Sequence, residues 1–211
     1  MRYRIAKPAD LKSIVNLHYK VRESYNLGFF SHMKRMFFFQ YYKILLNDKN
    51  EIILCAEDET GKICGFISAT LDANEQFNNL KRNRFKLAFA SLTTLITTPK
   101  VLKEIIKRYK SMADNGSSDL YISKEGCRGE FWAWDTHKPD PAGAVELQSR
   151  LIRMLRALGV KKMYSEVDVV NKRIVKFHQL NGAYEVGRIT LPDGRERLFL
   201  CNDLNQSGYS F

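Results

Sequence analysis

Cysteine is scarce in this chain and poorly placed for crosslinking. Four are spread over 211 residues with no Cys-x-x-Cys pair, which excludes a disulfide-stapled scaffold and the usual zinc spacing. Cys55, Cys64 and Cys201 stand among strand-forming apolar residues, where a thiol acts as a small hydrophobe. Cys127, beside Arg128 in a stretch flanked by glycines, reads as a loop thiol and is the one candidate for reactivity. Histidine is equally sparse, and His18, His32 and His137 show no helical ligand spacing, so no metal is expected. Long hydrophobic runs are missing too. The most apolar stretch, Phe85 to Ile96, is broken by Lys86, Ser91 and paired threonines, and the first residues have no apolar signal core. No membrane insertion is expected, and the expected location is cytoplasmic. Repeats and low-complexity linkers are also lacking, so the sequence predicts one domain over residues 1–211. Acidic residues are outnumbered, 23 Asp+Glu to 34 Lys+Arg, and the net charge of +11 implies attraction to polyanions whether or not that is the chain's task.

What is present points to a packed α/β domain. Hydrophobic residues make up 45% of the chain, enough to fill a substantial core at this length. From Gly129 to Gly187, strand and helix signals alternate. Glu130 to Asp135 is a short aromatic strand, and Asp140-Pro141 offers an N-cap followed by proline at the first helical position. Val145, Leu147, Leu151, Ile152, Met154, Leu155 and Leu158 recur at helical spacing, Arg150, Arg153 and Arg156 fill the other face, and Gly159 ends the helix. Lys162 to Val170 reads as a second strand, and a strand, a crossover helix and a strand suggest a parallel pair. A further helix from Lys172 stops at Asn181-Gly182. Tyr184 to Leu191 and Arg197 to Cys201 then flank Pro192-Asp193-Gly194, a tight-turn sequence.

The N-terminal part has a strand at Arg2 to Ala6 and a helix opened by Pro8 that carries Leu11, Ile14, Val15, His18 and Val21. Met33 to Leu46 is a second amphipathic stretch. Its Met33, Phe37, Tyr41, Ile44 and Leu45 fall on one helical stripe, which favours core over a substrate wall. Ile52 to Glu57 and Lys62 to Thr70 flank Asp58-Glu59-Thr60-Gly61, the composition of a hairpin connection.

The bend before residue 145 has chemical interest. A helix N-terminus leaves its first amides unpaired with converging dipoles, and the small residues Ala142, Gly143 and Ala144 let a phosphate approach the backbone. Ala and Gly also serve simply as a tight connection into a helix, and locally both readings stand. In register and without gaps, this stretch resembles the central signature of the GCN5-related N-acetyltransferase superfamily. Trp132 and Trp134 take the place of its apolar strand pair, and Ala142-Gly143-Ala144 that of its Gly-x-Gly/Ala. Asn171, His178 and Gly182-Ala183 stand at the spacings of its Asn, its Tyr and its Gly-Phe. Thr136, Pro139 and Asp140 depart from the pattern, which has Pro, Arg/Gln and Gly there. The resemblance covers roughly residues 1–72 and 129–204.

The resemblance implies a mixed, mostly antiparallel sheet with a parallel strand pair around the cofactor cleft and helices on both faces. It further implies acetyl-CoA as acyl donor, and direct N-acetylation of a small-molecule amine such as an amino sugar or amine metabolite. Trp132, Trp134, Ala142, Gly143, Ala144 and Asn171 would contact the cofactor, with Lys138 as the phosphate cation. His178, at the position where the family often has a tyrosine acid, would serve the departing thiolate. Asp135 is the preferred base, with Glu130 and Asp168 as alternatives on or beside the strands bracketing the cleft. Oligomeric state is not readable.

Residues 73–128 form an insert. Between Lys81 and Lys110 nine Lys/Arg face one Glu, interleaved with apolar residues, and the pattern reads as two basic amphipathic helices split near Thr98-Pro99. Asp114 to Lys124 reads as a loop. The insert is a lid or docking surface for an anionic substrate, or a solvated face whose apolar stripe packs on the domain. Nucleic-acid or membrane-surface contact is a third reading. A non-catalytic module holding nucleic acid or an acidic partner through this insert is accordingly the alternative to an acyltransferase.

Overall fold

The computed structural model describes residues 1–22, 29–97, 102, 125–191 and 194–205. Among them the chain runs β1 (Arg2–Ile5), α1 (Leu11–Val21), α2 (Phe29–His32), α3 (Arg35–Leu45), β2 (Glu51–Glu57), β3 (Ile63–Thr70), α4 (Ala73–Arg82), α5 (Arg84–Thr97), β4 (Cys127–Trp134), α6 (Pro141–Ala157), β5 (Lys162–Asp168), α7 (Lys172–Leu180), β6 (Tyr184–Thr190) and β7 (Glu196–Asp203). The strands form one sheet in the order β1-β2-β3-β4-β5-β7-β6, antiparallel throughout except for the parallel pair β4 and β5. The expected mixed sheet with a parallel pair is therefore present. Pro192 and Asp193 of the last hairpin, the second half of the basic stretch and the loop at 114–124 lie outside the described residues.

Each face of the sheet has its own core. Ile14 and Val15 of α1, with Phe37, Phe38, Tyr41, Tyr42 and Leu45 of α3, pack on Ile53, Cys55, Phe66 and Ala133. Leu147, Leu151, Ile152 and Leu155 of α6 cover Leu54, Ile67, Cys127 and Met163 on the opposite face. The periodic apolar stripe of α6 thus seals the crossover between β4 and β5, and Gly159, at φ +81°, ends it in the left-handed conformation that glycine adopts freely.

β4 carries an irregularity that strand alternation conceals. Ile67 pairs with Trp132 and Ala69 with Gly129, so Ser68 alone opposes both Glu130 and Phe131. This is a β-bulge, and the Phe131 amide donates to Ser68 Oγ (3.2 Å) across it. Its consequence is a change of face. Cys127 points to the α6 side, yet Phe131 and Ala133 pack on the α1/α3 side while Trp132 and Trp134 join α6. The same strand begins earlier than its aromatic run. Cys127 is a buried strand residue and no loop thiol, and burial, helped by the nearby Glu51, pushes it up to about 12, so the expectation of reactivity there fails.

The insert also differs from expectation. Its first helix starts at Ala73, capped by Asp72, whose carboxylate accepts from the amides of Asn74 (2.9 Å) and Glu75 (3.2 Å). A break at Asn83 separates it from α5. Four large apolar residues of α5, Phe85, Phe89, Leu92 and Ile96, are exposed, while Leu87, Ala90, Ser91 and Thr94 are buried, Leu87 within the α1/α3 core.

Candidate active site

β4 and β5 meet only at their first residues. Cys127 pairs with Met163 and Arg128 with Tyr164, and no later pairing joins the two strands. A Cβ on Gly129 would lie 3.1 Å from Ser165 Oγ, so the strands are still close there; the parting starts beyond it. The Asp135 amide donates to Cys64 O (2.7 Å) and the Phe131 amide to Ser68 Oγ. Since amides along a strand alternate between its edges, those of Trp132 and Trp134 face the other way, toward the parting. That gives an open strand edge with two donors directed at a cleft.

α6 and α7 frame this cleft. The Trp132 ring lies 5.1 Å from that of Phe177 on α7, and the indole N–H of Trp132 is buried without a hydrogen-bond partner among the described residues. His178 follows Phe177, their rings 5.7 Å apart, and its Nδ1 is likewise buried without a partner. Burial lowers His178 to about 4, so its ring is neutral at neutral pH. Asn171 opens α7; its amide donates to Asp168 O (2.8 Å) and its carbonyl accepts from the Val175 amide (3.0 Å), but its side chain makes no cap bond.

The start of α6 is built around Trp134. Its Nε1 donates to Lys138 O (2.9 Å), and its ring reaches so close to Gly143 that a Cβ there would fall 2.9 Å from it. Asp140 is the N-cap and accepts from the Gly143 amide through Oδ1 (2.8 Å). Pro141 supplies no amide, and the Ala144 amide already donates to Asp140 O (3.0 Å). The cap's own carboxylate therefore occupies the place an anion would take. Lys138 is held by Asp58 (2.7 Å). Trp134, Lys138, Ala142, Gly143 and Ala144 thus converge at one helix end, while Trp132 packs on Phe177 of α7, next to the buried His178.

Asp135 turns to the other face. It is buried, bonded to Lys20 Nζ (2.7 Å) and to the His137 amide (3.0 Å). Burial alone would raise its pKa, but these partners outweigh it and hold the carboxyl below the usual range. The other two base candidates are also matched to cations: Glu130 to Arg128 (2.6 Å), Asp168 to Arg195 (2.8 Å) and Arg197 (2.6 Å).

Glu166 was not singled out by sequence reasoning. It sits on β5 in this charged row, with Oε2 accepting from Arg197 Nη1 (3.1 Å) and Oε1 buried without a partner among the described residues. Burial raises its pKa despite Arg197 and Arg128. The alternation Tyr164, Glu166, Asp168 opposite Arg197 was the signal available, since cross-strand partners share a face. A second missed pair is His18 and Tyr42, joined at 2.5 Å in the α1/α3 core, with burial lowering His18 to about 3.

The strand edge fits an acyl donor such as acetyl-CoA: the Trp132 and Trp134 amides face the cleft and the indole N–H of Trp132 is buried without a partner among the described residues, while at the α6 end a Cβ on Gly143 would meet the Asp140 carboxylate and the Trp134 ring, so a phosphate there displaces Asp140. No known family model and no curated protein sequence matches the chain, so its likeness to known proteins is one of shape. It resembles a ribosomal-protein-alanine N-acetyltransferase from Brucella melitensis (TM-score 0.61, 13% identity, 96% of this chain and 99% of that one). An N-acetyltransferase from Staphylococcus aureus Mu50 is similar (0.59, 14%, 96% and 98%). So is FeeM, an N-acyl amino acid synthase from uncultured soil microbes (0.59, 11%, 98% and 97%). The chain has the fold of the GCN5-related N-acetyltransferases.

Proposed function

We propose that this protein transfers an acetyl group directly from acetyl-CoA to the amine of a small molecule. The observation that carries this reading is the parting of β4 from β5, with the Trp132 and Trp134 amides turned into it. Acetyl-CoA supplies an activated thioester, whose carbonyl carbon an amine can attack without a covalent enzyme intermediate. The Trp134 amide is placed to stabilise negative charge developing on a carbonyl oxygen in the cleft. Trp132 Nε1, Asn171, the Ala142 amide and, once phosphate displaces the Asp140 carboxylate, the Gly143 amide hold the donor's length, and Lys138 exchanges Asp58 for phosphate.

Proton handling falls to side chains on either side. Glu166, with one free oxygen and a raised pKa, is the best-tuned group to take the proton of the attacking ammonium. Asp135, held low by Lys20, is the weaker base and anchors the end of β4 to α1. His178 is neutral, so it offers the departing thiolate a hydrogen bond from its N–H and not the proton of an imidazolium. The amines to test are polyamines, amino acids and amino sugars, the first two suggested by a spermidine N-acetyltransferase and an N-acyl amino acid synthase of similar fold.

Thiol release from acetyl-CoA, measured with a panel of such amines, tests the reading. Amine-dependent release is expected, and Glu166→Gln should lower kcat about 100-fold or more while Asp135→Asn acts mainly through stability. No release with any amine, or equal losses in the two variants, contradicts the assignment.

A further inference from the structure

α5 is turned inside out relative to an ordinary packed helix. At 100° per residue, Phe85, Phe89, Leu92 and Ile96 fall within about 60° of one another, and they are 68%, 73%, 46% and 82% exposed. Leu87, Ala90, Ser91 and Thr94 occupy the opposite side and are buried. There Ser91 Oγ donates to Leu87 O (2.8 Å), and Thr94 Oγ1 accepts from the Lys34 amide (3.0 Å) at the start of α3. The helix thus anchors itself through Leu87 and small or hydroxyl-bearing side chains and presents four large apolar ones outward. A contiguous apolar stripe of this kind marks a contact surface.

The elbow leading into the stripe is basic. Asn78, Lys81, Arg82, Arg84 and Phe85 line an open cavity of about 360 Å³, with the Arg84 guanidinium 5.1 Å from the Phe85 ring. Lys86 follows one residue on. No Asp or Glu occurs between Glu75 and Glu104. Cations at one end and flank, apolar bulk along one narrow face, and a length of 14 residues describe a helix that lies in a membrane interface. No helix of the described residues is long and apolar enough to cross a membrane.

We propose that the α4–α5 elbow and the outward stripe of α5 dock this protein on an anionic phospholipid bilayer. Phe85, Phe89, Leu92 and Ile96 enter the boundary between headgroups and acyl chains, while Lys81, Arg82 and Arg84 meet lipid phosphates. Two features favour this occupant. A second copy of the chain would bring two basic elbows together, which repel. Single-stranded nucleic acid would gain from stacking on the aromatic rings, but not from the aliphatic Leu92 and Ile96. The proposal is independent of the acyl-transfer reading.

Cosedimentation of the full chain with vesicles tests it, comparing pure phosphatidylcholine with a mixture holding about 30% phosphatidylserine. At least tenfold tighter binding to the anionic vesicles is expected, roughly the effect of two cations near the surface. Phe89→Asp/Ile96→Asp and, separately, Lys81→Ala/Arg82→Ala should each weaken it about tenfold. Arg188→Ala, on β6, should leave it unchanged. Phe89 and Ile96 are outside the core, and circular dichroism confirms that the variants fold. Equal binding to both vesicle types overturns the proposal, as does a loss with the cation variant alone, which would indicate a soluble polyanion. A native dimer in light scattering that Phe89→Asp/Ile96→Asp separates would also overturn it, assigning the stripe to a second copy.

Discussion

Burial sets the charge of the two core histidines, and this has a measurable cost. His18 and His178 titrate at about 3 and about 4 in the folded chain, against an ordinary 6.5. Below pH 6.5 the unfolded chain binds a proton at each that the folded chain refuses, so the full stability above that pH is lost progressively as pH falls toward those values. By pH 5 each histidine costs about 2 kcal/mol. Glu51 works in the opposite sense. Burial and the neighbouring Glu130 raise it to about 8 from 4.5, so the folded chain keeps a proton the unfolded one releases, and stability rises as pH falls through that window. Urea unfolding of His178→Gln should therefore fall by about 2 kcal/mol less than that of the native chain between pH 6.5 and 5. Equal slopes would mean that His178 takes up its proton in the folded state. At this scale the sequence supplied the identity of His178 but not its surroundings, because the packing of α7 on Trp132 joins residues far apart in the chain. Asp135 shows the same limit: read from the sequence as the preferred base, it is a buried ion pair only through its contact with Lys20, 115 positions away.

At the scale of elements, local signals did most of the work where the deciding interaction is local. The Asp140-Pro141 cap, the 3.6-residue stripe of α6 and the stops at Gly159 and Gly182 all formed as their residues require. The bulge at Glu130–Phe131 left no such trace, since an extra residue changes which face follows without changing composition. Periodicity also found the stripe of α5 but could not say which way it points; burial of Thr94 beneath α3 decided that. The α6 cap yields a paired expectation. Asp140→Ala removes a helix cap, costing about 1 kcal/mol, yet it frees the Gly143 amide and removes a negative charge from the anion position. The variant should melt lower than the native protein and bind acetyl-CoA several-fold tighter. Lower melting with weaker binding would place the phosphates elsewhere.

Over the whole molecule, the two proposed surfaces stand apart in chemistry. The cleft between β4 and β5 is built from strand amides, aromatic rings and one glycine, while the α4–α5 elbow is built from cations and exposed apolar side chains. The excess of 34 Lys+Arg over 23 Asp+Glu bears on both, because acetyl-CoA and an anionic bilayer are each drawn to a positive protein. Charge does not discriminate between them; geometry does. Whether the cleft holds an acyl donor is decided by calorimetric titration of the full chain with acetyl-CoA at near-physiological salt. Saturable one-to-one binding in the micromolar range, tightened by Asp140→Ala, is the predicted result. The absence of saturable heat in both proteins would contradict it and leave a fold without its donor.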